Sequence, residues 1–220
     1  MAADTSTGMD LDAVWRAIDE RRAAVADLLG TLNDDEWATP SLCAGWTVRD
    51  VAAHLTRQEL TIRDGLLQLL RHPGGLNRSI RDAARRRAEL PTDELVARIR
   101  AGVGRRRHNT GVTPRETLVD ICVHGQDIAV PLGRPLPIPP AAAVEAAARA
   151  WALRWPWNSR RRFAGLRFTA TDIAWTVGDG APVQGPAEAL LLVLTCRDAG
   201  LPRLTGNGVA TLRERLRPGG

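Results

Sequence analysis

The sequence predicts a mainly α protein: a four-helix up-down bundle in residues 1–155, followed by a small α+β domain in residues 156–220. Three observations support this prediction. Apolar residues recur at three- and four-residue steps through most of the first part, and segments rich in proline or glycine separate these stretches. Near residue 166 the apolar spacing changes to every second residue, which is typical of strands. With 220 residues, 44% of them hydrophobic, the chain is long enough to bury a core.

The first two helices are predicted from their apolar stripes. Helix one begins at Leu11, and its apolar positions continue to Leu32, close to the segment NDDEW. After the loop TPSLCAGW, a second helix is predicted over residues 48–70. Thr47 is suited to be its N-cap, and Asp50 at the third helical position gives an acidic variant of the capping box.

Two further bundle helices and an alanine-rich helix complete the first part. The third helix is predicted over residues 92–107, with Val103 on its buried face. Pro114 begins the fourth, which ends before Pro131, because proline fits the first turn of a helix and does not fit its interior. A proline-rich connector leads to the alanine-rich helix over residues 141–155.

The last part of the chain has strand-like alternation. Leu166, Phe168 and Ala170 alternate with polar residues, and the segment IAWTV continues toward a predicted turn, GDGAP. This pattern predicts two or more strands. A helix that begins at Pro186 and a short one in GNGVATLRERL follow.

The basic residues are all arginine. The chain carries 30 Lys+Arg residues and a formal charge of +5, yet it contains no lysine and no tyrosine, a bias that a GC-rich genome explains. Triple arginines stand at 85–87, 105–107 and 160–162. Since no recognition motif accompanies them, they are interpreted as solvated surface, and no nucleic-acid partner is expected.

Cysteine usage and the N-terminus point to a cytoplasmic protein without a membrane anchor. The three cysteines, Cys43, Cys122 and Cys196, are odd in number and have no framework spacing, which fits a reducing compartment. The N-terminus lacks the basic and apolar regions of a signal peptide, and no apolar run approaches the roughly 18 residues of a membrane span. Cys43 lies in a loop and is interpreted as a packed thiol, while Cys122 is expected to point away from Asp120.

A metal site is predicted from three residues on two helices. Asp120 and His124 are four residues apart, so both side chains leave the same face of one helix. His54 lies on the edge of the apolar stripe of an earlier helix. Two imidazoles and a carboxylate suit Zn²⁺, with Ni, Fe or Mn also compatible, and three protein ligands with one open position are typical of a catalytic centre. The alternative for His54 alone is a core histidine with its hydrogen bonds satisfied.

Asp127 is the predicted companion of this site. It follows Asp120 by seven residues and therefore stays on the same helical face, where it can accept the distal N–H of a ligating histidine or help to move a proton. The alternative is a residue near the helix end that bonds to solvent or to a neighbouring arginine.

At these residues the chain resembles the mycothiol-dependent maleylpyruvate isomerase family, a branch of the DinB-like metal-binding superfamily. The segments that carry the resemblance are DDEWATPSLCAGWTVRDVAAHL, DICVHGQDIAVPLGRP and GLRFTATDIAWTVGDGAPVQGPAEALLLVLTCR, which together span nearly the whole length. In that family a histidine and a Glu-x-x-x-His pair hold a divalent metal, usually zinc. The resemblance implies a DinB-like bundle with His54, Asp120 and His124 as ligands, and Asp120 departs from the family's glutamate.

The resemblance also implies a chemistry. In the family the open metal position takes the thiol of mycothiol, the low-molecular-weight thiol of actinobacteria, and the resulting thiolate attacks an electrophile. Addition and release give cis–trans isomerisation, whereas net transfer gives S-conjugation. A basic residue of the second domain acts near the family's site, and Arg197 is the position that the resemblance suggests. The alternative for Arg197 is a charge that favours a helix C-terminus.

The expected partners are therefore a small electrophile and a thiol, for a protein that is a monomer or homodimer. Two other classes remain open. One is a non-catalytic metal-binding bundle that acts as a stress-response or ligand-sequestering protein. The other is a nucleic-acid accessory protein that uses the arginine clusters.

Overall fold

The computed structural model describes residues 8–56, 88–109 and 111–217. The chain divides into two compact units, Ile18–Pro137 and Met1–Ala17 with Ile138–Gly220. The helices, in chain order, are α1 (Leu11–Leu29), α2 (Asp34–Ala38), α3 (Val48–Leu55), α4 (Thr92–Ala101), α5 (Pro114–Ala129), α6 (Pro140–Ala152), α7 (Ser159–Arg162), α8 (Ala187–Leu194) and α9 (Val209–Leu216). The predicted mainly α class is confirmed.

Among the described residues of the unit Ile18–Pro137, helices α1, α3, α4 and α5 contribute to a shared hydrophobic core. The stripes predicted from the sequence supply many of its buried side chains, among them Val25, Val51, Leu55, Leu95, Ile99, Ile121 and Ile128, whereas Leu28 and Leu32 of the first stripe are only partly buried. Burying apolar area of this kind is the main favourable contribution to folding, at about 25 cal/mol per Å². The core therefore fixes α3 and α5, the two helices that carry the predicted metal ligands, side by side.

The predicted start of α3 is confirmed. The Thr47 hydroxyl accepts a hydrogen bond from the Asp50 backbone N–H at 3.2 Å, and the Asp50 carboxylate accepts one from the Thr47 backbone N–H at 2.9 Å. This reciprocal pair satisfies two of the donors that every helix N-terminus leaves open. The remainder of the predicted second helix lies outside the described residues, as do the arginines at 85–87. His72, which its neighbour Pro73 predicts to be an exposed loop histidine, also lies outside them.

Two helix boundaries differ from the sequence prediction. Helix one was predicted to end near the segment NDDEW; α1 ends at Leu29, and Asp34–Ala38 form the separate helix α2, whose N-cap Asn33 makes a capping box with Glu36. Helix α4 ends at Ala101 instead of continuing to residue 107. Gly102 is the C-cap, and Gly104 beyond it takes a left-handed φ of 76°, which favours glycine, so the chain has left the helix there. Val103 is 39% exposed, and the prediction that it is buried was wrong.

The second unit contains a small mixed sheet with helices α6 and α8 packed against each other. Its strands are β1 (Leu166–Ala170), β2 (Thr176–Gly178) and β3 (Ala181–Gly185), in the order β2-β1-β3. Phe168 of the central strand is paired with Val177 in the antiparallel direction and with Val183 in the parallel direction. The predicted alternation of β1 is confirmed. The GDGAP segment is only partly a turn, because its last two residues begin β3.

Helix α6, which the sequence division placed with the bundle, belongs to this second unit. A 3-10 helix (Asp198–Arg203) lies between α8 and α9. The predicted boundary between residues 155 and 156 falls inside this unit, and as a boundary between domains it remains a prediction. None of the helices in the described ranges combines the length and the apolar character needed to cross a membrane.

Candidate metal centre

Two helices of the bundle unit bring the three predicted ligands together. His54 is in the last turn of α3, and Asp120 and His124 are in the middle of α5. The Asp120 Oδ1 atom lies 3.4 Å from Nε2 of His54 and 3.4 Å from Nε2 of His124. The carboxylate therefore stands between the two imidazoles, whose ring centroids are 4.8 Å apart.

These separations fit a shared cation better than direct hydrogen bonds. Ligands at 2.0–2.1 Å from a tetrahedral zinc ion lie roughly 3.3–3.4 Å from one another. The 3.4 Å distances match this edge length and exceed the usual length of an N–H···O bond. All three side chains are half-buried, which leaves the group reachable from solvent. The residues present thus fit a divalent cation with one open position.

Asp127 orients one of the two imidazoles. Its carboxylate Oδ2 accepts a hydrogen bond from Nδ1 of His124 at 2.8 Å, and its side chain is fully buried. With Nδ1–H bonded to Asp127, Nε2 points toward Asp120. A carboxylate that holds a ligating histidine in this way is a common outer partner of metal sites.

Cys43, His124 and Asp127 form a second group of residue types that can bind a metal, and it shares His124 with the first group. Cys43 Sγ lies 3.0 Å from Oδ2 of Asp127 and 3.7 Å from Nδ1 of His124. The contacts to Asp127, at 2.8 and 3.0 Å, have hydrogen-bond lengths and are shorter than the edges of a metal site. The second group is therefore a hydrogen-bonded support of the first.

The sequence did not predict Cys43 and Trp46 as neighbours of the site. Cys43 was interpreted as a packed thiol, and Trp46 lies edge-on to His54 with ring centroids 5.6 Å apart. Both belong to the loop before α3, and their contacts are tertiary, so no spacing along the chain indicates them. The available signals were their closeness in sequence to the N-cap at Thr47 and their place in the segment that carries the family resemblance.

The surroundings of His124 favour positive charge. Burial lowers the pKa of the imidazole, but hydrogen bonds to Asp127 and Cys43 and the charge of Asp120 outweigh burial and raise the pKa to about 10. The same carboxylates that favour a proton on this ring in the metal-free chain favour a cation beside it.

The remaining candidate residues lie elsewhere. Cys122 is buried on α5 and belongs to neither group of possible ligands in the described ranges. His108 follows three arginines, which predicts an exposed loop residue, and it is exposed. Arg197 belongs to the second unit, where its Nη1 donates to the Thr195 carbonyl at 2.7 Å. Thr195 is the C-cap of α8, so this contact agrees with the alternative of a charge at a helix C-terminus. The catalytic role of Arg197 remains a prediction.

A family model described as the mycothiol maleylpyruvate isomerase N-terminal domain matches residues 18–129, just over half of the chain. The chain belongs to this family. The matched residues include all three proposed ligands, as well as Asp127 and the loop with Cys43. The resemblance inferred from the sequence segments is confirmed.

Two solved structures show that this member of the family shares a known fold. A crystal structure of mycothiol-dependent maleylpyruvate isomerase matches with a TM-score of 0.62 and 14% identity, over 90% of this chain and 93% of that chain. A histidine-to-alanine mutant of such an isomerase matches with a TM-score of 0.58 at the same identity and coverage. Identity this low supports the fold alone. No curated protein matches the chain in sequence.

Proposed function

We propose that this chain is a metal-dependent enzyme that activates the thiol of mycothiol for cis–trans isomerisation or S-transfer on a small electrophile. The observation that carries the proposal is the position of Asp120 Oδ1, 3.4 Å from Nε2 of both His54 and His124. Membership of the mycothiol maleylpyruvate isomerase family supports the thiol and the substrate class.

The proposed ligands are His54, Asp120 and His124, with Zn²⁺ as the first choice and Ni²⁺ as an alternative. Two imidazoles and one carboxylate with one position left open are typical of catalytic zinc sites, whereas structural sites are closed by four protein ligands. When bound, a divalent cation supplies a Lewis acid that lowers the pKa of a thiol brought to the open position.

The chain's own residues supply order at the site. Asp127 accepts the Nδ1–H of His124, so the ring keeps the orientation that points Nε2 toward Asp120 and the proposed cation. The indole of Trp46 packs edge-on against His54 and restricts the orientation of that ring. Both imidazoles are thereby arranged before a ligand arrives, which reduces the free-energy cost of binding.

The proposed chemistry uses the thiolate as a nucleophile. Addition of sulfur to one carbon of a conjugated double bond forms a C–S bond and turns the double bond into a single bond. Rotation about that bond, followed by loss of the same thiolate, gives the other isomer with no net change in atoms. If the C–S bond persists and the adjacent carbon takes a proton, the product is the S-conjugate.

Turnover of maleylpyruvate with mycothiol tests the proposal. We expect the metal-loaded protein to isomerise the substrate only when the thiol is present, and a chelated sample or His124→Ala to lose nearly all of this activity. The matched control is His108→Ala, which removes an exposed histidine and is expected to keep parental activity.

Two results would contradict this proposal. One is equal turnover in His124→Ala and the parent, and the other is turnover that survives complete removal of metal. If the parent protein binds metal but neither isomerises the substrate nor forms an S-conjugate when the thiol is present, the non-catalytic metal-binding alternative is favoured instead.

A further inference from the structure

We infer that Cys43 is a positioning residue of the metal centre, which acts on His124 through Asp127. This inference rests on the proposed function, because it assumes that His124 binds the cation. The Cys43 thiol donates a hydrogen bond to Oδ2 of Asp127 at 3.0 Å, and the same oxygen accepts the bond from Nδ1 of His124 at 2.8 Å. One carboxylate oxygen thus joins the thiol to the imidazole.

The loop that carries Cys43 is closed by its own hydrogen bonds. The Ser41 backbone N–H donates to the Trp46 carbonyl at 2.8 Å, the Trp46 N–H donates to the Cys43 carbonyl at 3.0 Å, and the Cys43 N–H donates to Oγ of Ser41 at 3.1 Å. Gly45 takes a left-handed φ of 77°, which favours glycine in so tight a loop. The loop therefore fixes the backbone position from which the thiol extends.

The same loop is bonded to Asp127 at a second point. The Leu42 backbone N–H donates to the backbone carbonyl of Asp127 at 3.2 Å, in addition to the bond from Cys43 to the carboxylate. Because the Asp127 side chain is fully buried, each hydrogen bond that it accepts offsets part of the cost of removing its charge from water. Loss of the thiol donor weakens the restraint on the carboxylate and, through it, on His124.

The main effect of Cys43 on His124 goes through Asp127, because its hydrogen bond to Oδ2 of Asp127, at 3.0 Å, is shorter than its contact with the imidazole. Its Sγ is 3.7 Å from Nδ1 of His124, whereas the proposed cation faces Nε2, on the side of Asp120. The thiol is therefore not placed to be a ligand of that cation. The loop also reaches the other histidine, since Trp46 packs against His54.

A titration of the metal-free full-length protein with Co²⁺ tests this inference, because the visible absorption of Co²⁺ reports ligand geometry as well as occupancy. We expect Cys43→Ala to weaken Co²⁺ binding by roughly tenfold, at the lower end of the effect of outer-sphere partners, and to shift the absorption bands. Cys43→Ser keeps a donor and should restore affinity to within a few-fold of the parent. Cys196→Ala, which removes a thiol in the other unit, should match the parent.

A second comparison tests the route through Asp127. In an Asp127→Ala background, Cys43→Ala should cause no further loss of Co²⁺ affinity, since the carboxylate that transmits the effect is absent. Thermal unfolding of each metal-free variant shows whether its fold is retained.

Three results would overturn the inference. They are a Cys43→Ala protein with parental affinity and spectrum, an equal loss in Cys43→Ser and Cys43→Ala, and an undiminished effect of Cys43→Ala in the Asp127→Ala background. Failure of the proposed function is distinguishable from these, because the parent and His124→Ala would then bind Co²⁺ equally.

Discussion

At the scale of single residues, the packing of two helices explains how Asp120 can stand where the family pattern has glutamate. Because the aspartate side chain is one methylene shorter, its backbone must lie closer to the two imidazoles for the carboxylate to reach them. Helices α3 and α5 pack side by side, and Oδ1 of Asp120 already lies 3.4 Å from both imidazole nitrogens. The shorter side chain therefore reaches the position that the proposed cation requires.

Asp127→Asn tests the proposed role of the buried carboxylate. The change keeps the size of the side chain but replaces a charged acceptor with a neutral amide, which holds the Nδ1 proton of His124 less strongly. We expect the affinity for Zn²⁺ to fall by roughly 10- to 100-fold, measured by competition with a chelator of known affinity. Asp179→Asn, at an exposed position, is the matched control, and parental affinity in Asp127→Asn would argue against the role.

At the scale of secondary-structure elements, α3 connects local sequence to the site. It is a short helix with His54 in its last turn, and its N-terminus is fixed by the Thr47–Asp50 capping box. The five buried residues of α3 hold it in the core, so its orientation depends on packing and on the cap together.

Thr47→Ala tests the contribution of this cap. We expect the free energy of unfolding to fall by about 1 kcal/mol, because an orphan N–H of the helix loses its partner. Urea denaturation gives this value, and Thr47→Ser, which keeps the hydroxyl, should stay much closer to the parent. Equal stability of the parent and the alanine variant would show that packing alone fixes α3.

The elements that sequence patterns predicted well are those specified by local chemistry. The starts of α3 and α5 follow from Thr47 and Pro114, and the alternation of β1 is readable directly. Strand β3 was missed, because Gly180 and Pro182 indicate a turn and its pairing with β1 is decided by residues distant in sequence. As an outer strand it tolerates proline, which would not fit the centre of a sheet.

The proposed metal site also combines features that the local sequence predicts with features that only tertiary packing decides. The i, i+4 spacing of Asp120 and His124 places two groups on one helical face, and the position of His54 at the edge of another apolar stripe predicted the third ligand; the family resemblance implies the same three residues. The helix-to-helix distances, the bond from Asp127 to His124 and the contact of Cys43 with Asp127 depend on how α3, α5 and the loop pack. Tertiary packing of this kind leaves no periodic signal in the chain.

At the scale of the whole molecule, all three proposed ligands belong to one compact unit. The family match over residues 18–129 falls within Ile18–Pro137, which also contains the Cys43 loop and Asp127. Metal binding is therefore expected to depend on the packing of this unit. The second unit, with its mixed sheet, contributes none of the proposed ligands.

Metal content tests the central claim most directly. Elemental analysis of protein purified without added metal should find about one divalent ion per chain in the parent and in the exposed-site control His108→Ala. His54→Ala and His124→Ala should each retain little metal while keeping a cooperative unfolding transition. Equal metal content in all four proteins would contradict the assignment of His54, Asp120 and His124 as the ligands.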